Sequence, residues 1–537
     1  MDGRISKERI DDAVSRVLRA KFELGLFEAP YVSSKEIEAL KKLNHKPLAE
    51  KAAAESFVLL QNNNQTLPVP ENVKKILVVG TDAVDARLGG YSGPGNKKIN
   101  IVDGLKNYTK NKNIEIMYSK GIDWNIKDFT TISNEYLSSE NKKGLKGSYF
   151  SNTELKGNSA FERQDEQLNF KWTLYSPDPE KLQVDHYSIR WIGKLEAPES
   201  GKYQLGLRGN DGFRLYLDGK LAIDQWEKLS YSTKTVELDF VKGKKYDIKI
   251  EFHENRGEAN LELIWNYGLH NYQKDFNEAL DLAQKADYII ITAGIHEGEF
   301  QDRSSLSLPG NQEAFIHEVV KLNKPISVVL VGGSAIKTTA WKDKVGAILD
   351  IWYPGEEGGN AVAKILFGAE NPSGKLPITF PIEEGQLPLI YNHHPTGRGN
   401  DYHDLSGEPL YPFGFGLSYT TFEISGLQLN KTQYSENDTI IAKVNVKNTG
   451  SKTGNEVVQL YVKDLLASVS RPIIELKGFQ KVELKPGESK SVTIEVPVKQ
   501  LQFLNEKMDW IVEKGTYRIM VGNSSKNLPL KQNIEVL

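Results

Sequence analysis

An interruption narrows the fold more than any other feature of this chain. Residues 47–143 and 269–420 alternate apolar helical stretches with short β-branched runs, whereas 144–268 reads almost wholly as strand and turn. The runs "KKILVVG" (74–80), "ADYIIITA" (286–293), "PISVVLVGG" (325–333) and "VGAILDIWY" (345–353) are apolar nearly throughout. That is the pattern of parallel strands covered on both faces. Helices are predicted over 6–27, 47–62, 273–285 and 311–322 from apolar residues recurring at helical spacing. The β-rich block, with strands such as "GKYQLGLRG" and "YDIKIEFHE" separated by Gly, Asp and Asn, predicts a β-sandwich inserted into one α/β domain. From Thr421 onward "TIIAKVNVKNTG", "NEVVQLYVKD" and "GTYRIMVGN" alternate cleanly and predict an immunoglobulin-like β-sandwich. The expected fold class is therefore multidomain α/β plus all-β. A leading helix and linker occupy 1–46, and the α/β sandwich occupies 47–143 and 269–420. The insert spans 144–268 and the terminal sandwich 421–537.

Composition excludes several chemistries. Not one of the 537 residues is cysteine, so disulfides, thiol nucleophiles and cysteine-ligated metals are ruled out. A formal charge of -3 speaks against a nucleic-acid surface, and no apolar run approaches the ~18 residues of a membrane helix. No membrane insertion is therefore expected. "MDGRISKERIDD" lacks the apolar centre of a signal peptide, so this chain is not expected to direct its own export. "GGYSGPG" at 89–95 has glycines but neither the spacing nor the Lys-Ser/Thr of a phosphate loop. It is read as a loop beside a ligand pocket, and no cofactor is expected.

The chemistry-bearing stretch is "GIHEGEFQDRSSLSLPGNQ" at 294–312, directly after a strand that looks buried. In open α/β sheets ligands sit beyond the carboxyl ends of strands. Glu297 and Glu299 flank Gly298, and Asp302 and Arg303 follow. These residues suit either an acid/base carboxylate with charged neighbours or a solvated loop, and spacing alone does not choose. In the insert, Asn210-Asp211 within "RGNDGF" suits a turn or an oxygen ligand pair, with no further cluster to complete a calcium site, so no metal is expected. Asp218-Gly219 marks a hairpin turn. Trp226 suits an aromatic ligand-stacking platform or a core position. His393, His394 and His403 fall in a Pro/Gly-rich stretch and read as a surface loop rather than metal ligands.

Longer motifs carry a family resemblance. "DGRISKERIDDAVSRVLRAKFELGLFE", "AAAESFVLLQNNNQTLPV", "VGGSAIKTTAW", "ILDIWYPGEEGGNAVAKILFGAENPSGKLPITFP" and "LYPFGFGLSYTTFE" occur in order along the chain. Together they resemble the region of family 3 glycoside hydrolases, the β-glucosidase family, that follows the catalytic barrel. The 1–46 segment resembles the exit from that barrel, the insert resembles a protective-antigen type β-sandwich, and the tail resembles a fibronectin type III-like domain. The resemblance implies a retaining, exo-acting β-glycosidase, with a β-glycoside or oligosaccharide as its substrate. It implies Glu299, four residues before Arg303, as general acid/base, with Glu297 as the fallback. Asp302, Arg303, Trp226 and Asp211 are then candidate substrate contacts, and the insert is expected to shorten the pocket.

The same resemblance places the nucleophilic aspartate on an amino-terminal (β/α)8 barrel, which implies a barrel that is either a separate partner chain or deleted from this one. "IDW" (Asp123-Trp124) and "MDW" (Asp509-Trp510) imitate the nucleophile's setting but lie outside any barrel-like stretch, and are read as structural. Relatives imply a periplasmic or secreted setting. The alternative function is a non-catalytic carbohydrate-binding protein that uses the inserted sandwich.

Overall fold

A computed structural model describes residues 5–41, 43–172, 175–227, 230–257, 259–298, 301–397 and 399–537. The chain forms two compact units, one of Met1–Trp124 with Gln273–Leu537 and one of Asn125–Tyr272.

In the first unit, helix α1 (Lys7–Glu23) is capped by Ser6, whose hydroxyl accepts from the Arg9 N–H, and Gly25 at φ +65° ends it. No residue of α1 is buried, and Ile10, Val14, Val17, Leu18 and Phe22 are all exposed. Helices α2 (Ser34–Lys41) and α3 (Lys46–Ser56) follow. The helix expected over 47–62 stops at Ser56, and Val58–Asn62 is strand β1 instead. The reason lies in Phe57–Leu60, four buried apolar residues in a row with no polar face to turn to solvent. They pair antiparallel with an open sheet edge.

The sheet comprises β1, β2 (Lys75–Val79), β3 (Glu115–Ser119), β4 (Tyr288–Gly294), β5 (Ile326–Val331) and β6 (Ala347–Asp350), in spatial order β1-β6-β5-β4-β2-β3. All neighbours except β1 and β6 are parallel. Alternate strand residues feed two cores. Ile76, Val78 and Ile290 pack with Ala53 of α3, Leu105 of α4 (Ile101–Thr109) and Val362 of α7 (Gly358–Leu366). Leu77, Val79 and Ile291 pack with Ala279 of α5 (Tyr272–Lys285) and Phe315 of α6 (Gln312–Val319). Full burial of each such side chain is worth about 1.5–3 kcal/mol. From β2 the chain moves outward to β3, and from β4 it moves the other way through β5 to β6. Strand order therefore reverses between β2 and β4, and the loops leaving their carboxyl ends diverge there.

The same unit carries the tail as two antiparallel-rich sheets around Val444, Val458, Ile494 and Ile519. One sheet holds Phe422–Leu429, Thr439–Asn448 and Ser489–Pro497. The tail is joined to the α/β layers by polar contacts. Lys375 Nζ meets the Glu456 carboxylate at 2.8 Å, and Gln459 Nε2 donates to the Gly414 carbonyl at 3.0 Å.

The second unit is a β-sandwich. One sheet is built on Tyr187–Glu196 and Lys245–Glu254, the other on Gly201–Gly209 and Ala259–Trp265. Its core gathers Tyr149, Trp191, Phe213 and Phe252. Buried Asp165 accepts from the Tyr149 hydroxyl (2.6 Å), the Trp191 indole (2.7 Å) and Arg163 Nε (2.6 Å), which satisfies its charge. Thr130–Thr131 and Leu137–Ser139, ahead of Gly144, also pair into these sheets. Strands of two or three residues carry too little alternation to be read in a sequence.

Candidate active site

At the switch point the loop after β2 lies against the loop after β4. Asp85, Arg87, Gly89, Gly90, Ser92, Gly93, Pro94, Lys98, His296, Glu297 and Tyr353 line a cleft of about 240 Å³. The glycine loop "GGYSGPG" is thus part of this cleft. Gly89 takes φ +104° beside the Tyr353 ring, and a Cβ on Gly90 would collide with the Glu297 carbonyl oxygen. Glycine is required at Gly90 because one chain segment passes directly over another, and at Gly89 because of its left-handed backbone.

Arg87 ties the strand ends together. Its Nε meets the buried Asp82 carboxylate at 2.7 Å, and its Nη1 donates to the Ile295 carbonyl at 2.6 Å. Burial pushes the Asp82 pKa up to about 6, against the opposing pull of Arg87. At the end of β6, Asp350 is buried and accepts from the Trp352 N–H at 3.1 Å. Burial raises its pKa to about 8, and the Glu297 charge adds to that. Trp352 is held at φ +52°, a left-handed conformation that costs a residue with a side chain roughly 1–2 kcal/mol. The turn presents Tyr353, whose hydroxyl donates to Glu297 Oε2 at 3.0 Å. Burial first, and then the Glu297 charge, raises the Tyr353 phenol to about 12. The same Oε2 accepts the Gly333 N–H from the end of β5. Three parallel strands, β4, β5 and β6, therefore converge on one carboxylate.

Further along the loop, Asp302 is exposed and Arg303 is half-buried, with Nη2 donating to Ser334 Oγ at 3.3 Å. Ser305 Oγ and the Leu306 N–H donate to Glu384 Oε1 at 2.7 and 2.6 Å. Lys337 Nζ lies 3.0 Å from the other oxygen of Glu384. Burial of Glu384 is outweighed by these donors, which hold its pKa at about 2. Glu299 lies outside the described residues.

Two of the remaining sequence candidates belong to the β-sandwich unit. Asp211 is buried in the β-sandwich unit at φ +60° and accepts from the Asn255 N–H at 2.6 Å. Trp226, in the same unit, is half-buried, with the Arg214 guanidinium 4.5 Å from its ring centre and its carbonyl against His253 Nε2. Asp123 pairs with Lys120 at 2.8 Å, and Trp124 stacks on His296 with ring centres 4.6 Å apart. Trp124 therefore braces the first residues of the β4 loop. Asp509 belongs to a turn in the terminal sandwich, where its N–H donates to Asn505 Oδ1. His393 and His394 make loop contacts to Ile390 O and Ser470 Oγ. Sequence reasoning missed Asp82, Arg87, Asp350, Tyr353 and Glu384. Asp82, Asp350 and Tyr353 lie within three residues of a strand's carboxyl end and Arg87 lies in the loop leaving β2, and that position was the signal available.

Residues 57–419 match the glycosyl hydrolase family 3 C-terminal domain, and 456–525 match the fibronectin type III-like domain. The chain belongs to glycosyl hydrolase family 3. It is 29% identical, over 99% of its length, to a xylan 1,4-beta-xylosidase of Xylanibacter ruminicola, of which it covers 63%. It is 31% identical to a probable beta-glucosidase I of Aspergillus clavatus, matching 93% of this chain and 64% of that one. The chain thus spans under two thirds of the length of these curated relatives. Among solved structures it resembles a beta-glucosidase from Kluyveromyces marxianus crystallised with glucose, with TM-score 0.64 and 28% identity. That match covers 99% of this chain and 68% of the other.

Proposed function

We propose that this chain is the acid/base-bearing portion of a retaining, exo-acting β-glycosidase that hydrolyses terminal β-D-glycosides. The observation that carries the reading is the loop after β4. It leaves the sheet at the switch point, is braced from β5 and β6, and holds the segment Glu297–Arg303 of a family 3 chain. Glu299 is the proposed general acid/base, with Glu297 as the fallback, and Asp302, Arg303, Trp226 and Asp211 are the proposed substrate contacts. The nucleophile is proposed to come from a (β/α)8 barrel outside these 537 residues. Two observations support that partner: the exposed apolar stripe of α1, and relatives longer than this chain.

In the first step the Glu299 acid donates its proton to the glycosidic oxygen while the nucleophile, its carboxyl group about 5–5.5 Å from that of Glu299, attacks C1. The aglycone leaves and a glycosyl-enzyme forms. In the second step the Glu299 carboxylate takes a proton from water, the water oxygen bonds to C1, and the nucleophile is released. A periplasmic or secreted setting is part of the proposal, since one relative is a periplasmic beta-glucosidase of Salmonella typhimurium. Among the described residues no helix is long and apolar enough to cross a membrane.

The test is release of nitrophenol from 4-nitrophenyl β-glucoside, β-xyloside and N-acetyl-β-glucosaminide, by the chain alone and with a family 3 barrel. Release is expected only with the barrel, and it is expected to be lost in Glu299→Gln. Release by the chain alone would place a nucleophile within these 537 residues and overturn the account of the partner.

A further inference from the structure

The loop between β4 and α6 is held at both ends by carboxylates that face into the protein. Upstream, Glu297 Oε2 takes two donors, the Gly333 N–H and the Tyr353 hydroxyl at 3.0 Å. Downstream, Glu384 accepts from Ser305 Oγ and the Leu306 N–H. Glu384 is itself fixed by Lys337, which also meets Glu383 at 2.9 Å and whose backbone N–H donates to the Leu306 carbonyl at 2.9 Å. Hydrogen bonds to a charged acceptor are the stronger kind, and each anchor combines two. In the middle, Arg303 is tethered to Ser334.

We propose that Glu297 and Glu384 are positioning residues that clamp the two ends of the 295–308 loop, so that its described residues, 295–298 and 301–308, are fixed from both sides. The proposal rests on the reading of Glu299 as acid/base, and it gives Glu297 a positioning role in place of that one. An acid must direct a free oxygen at the leaving group. The Glu297 oxygen that the structure shows engaged is directed instead into the ends of β5 and β6. Lining the cleft, Glu297 shapes its wall, while Tyr353 and Gly333 set the height of the loop above the sheet.

Hydrogen–deuterium exchange on the purified chain tests the clamp without any need for turnover. Peptides covering 295–308 are expected to exchange at least about tenfold faster in Glu297→Gln and in Glu384→Gln, with no change in Glu299→Gln. Unchanged exchange in both clamp variants would overturn the inference and leave the Glu299 assignment standing. Should Glu297→Gln fail to fold, Tyr353→Phe removes one donor without touching the charge, and is expected to speed exchange in the same peptides. Its failure to do so would count equally against the clamp.

In the barrel-completed enzyme, Glu297→Gln is expected to lower kcat, leave KM within about twofold and keep the alkaline limb of the pH profile. Glu299→Gln is expected to erase that limb. If Glu297→Gln erases the limb and Glu299→Gln keeps it, Glu297 is the acid/base itself, and both the inference and the reading beneath it fall.

Discussion

Asp350 is a buried carboxylate at the end of β6, and replacing it with asparagine is expected to stabilise the protein. The asparagine oxygen keeps the hydrogen bond from the Trp352 N–H, so the left-handed turn that carries Tyr353 survives. What changes is the charge. Burial holds the folded-state pKa at about 8, above the ordinary value of 3.8. The proton kept in the folded state therefore favours folding fully below about pH 4, and that advantage is lost as pH rises through about 8. Asparagine carries no such loss. Each unit between the two values is worth about 1.4 kcal/mol, so the gap in favour of Asp350→Asn grows from near zero at pH 4 to about 3 kcal/mol at pH 6 and levels off above 8. Differential scanning calorimetry of both proteins across this range reads the gap as a difference in the melting temperature of the α/β unit. A gap that stays constant with pH, or a variant less stable at pH 7, would show that Asp350 is not held neutral by burial, and the reasoning would fail.

Two further outcomes are expected at the same strand ends. Arg87→Met leaves Asp82 buried without its cation, so a loss of about 3–5 kcal/mol is expected near pH 8. The loss should shrink near pH 4 and be relieved by adding Asp82→Asn; an equal loss at both pH values in chemical denaturation would refute this. Gly90→Ala puts a methyl group against the Glu297 carbonyl and the Gly298 Cα, at an overpacking cost of about 1–3 kcal/mol. Faster tryptic cleavage at Arg303 with a lowered melting temperature is expected, and wild-type behaviour in both would contradict the close passage of the two loops.

Much of the architecture is legible because its signals are local. Ile289–Ile291 and Val328–Leu330 announce doubly covered strands, and the alternation in Thr439–Asn448 announces a half-buried one. β1 reads as helix because Phe57–Leu60 is apolar on all sides, so periodicity does not separate helix from strand and only the open edge beside Ala347–Asp350 decides. The loop at 294–312 stands out for the density of its charges, yet its supports do not. Arg87, Gly333 and Tyr353 are brought to it from distant positions by the strand order of the sheet, and Glu384 by the segment after α7, and no spacing in the chain records that. Trp124 shows the same limit. It imitates a nucleophile's setting in the sequence, but in the fold it stacks on His296, a partner far along the chain.

Azide rescue tests whether Glu299 is the acid/base of a retaining glycosidase. Glu299→Gln, assembled with a family 3 barrel, is given an aryl β-glucoside whose leaving group needs no protonation, and sodium azide is added. Azide is expected to restore turnover, because it attacks the glycosyl-enzyme without a base, and the expected product is the β-glycosyl azide. Wild-type activity in the variant without azide, or an α-glycosyl azide, would contradict it.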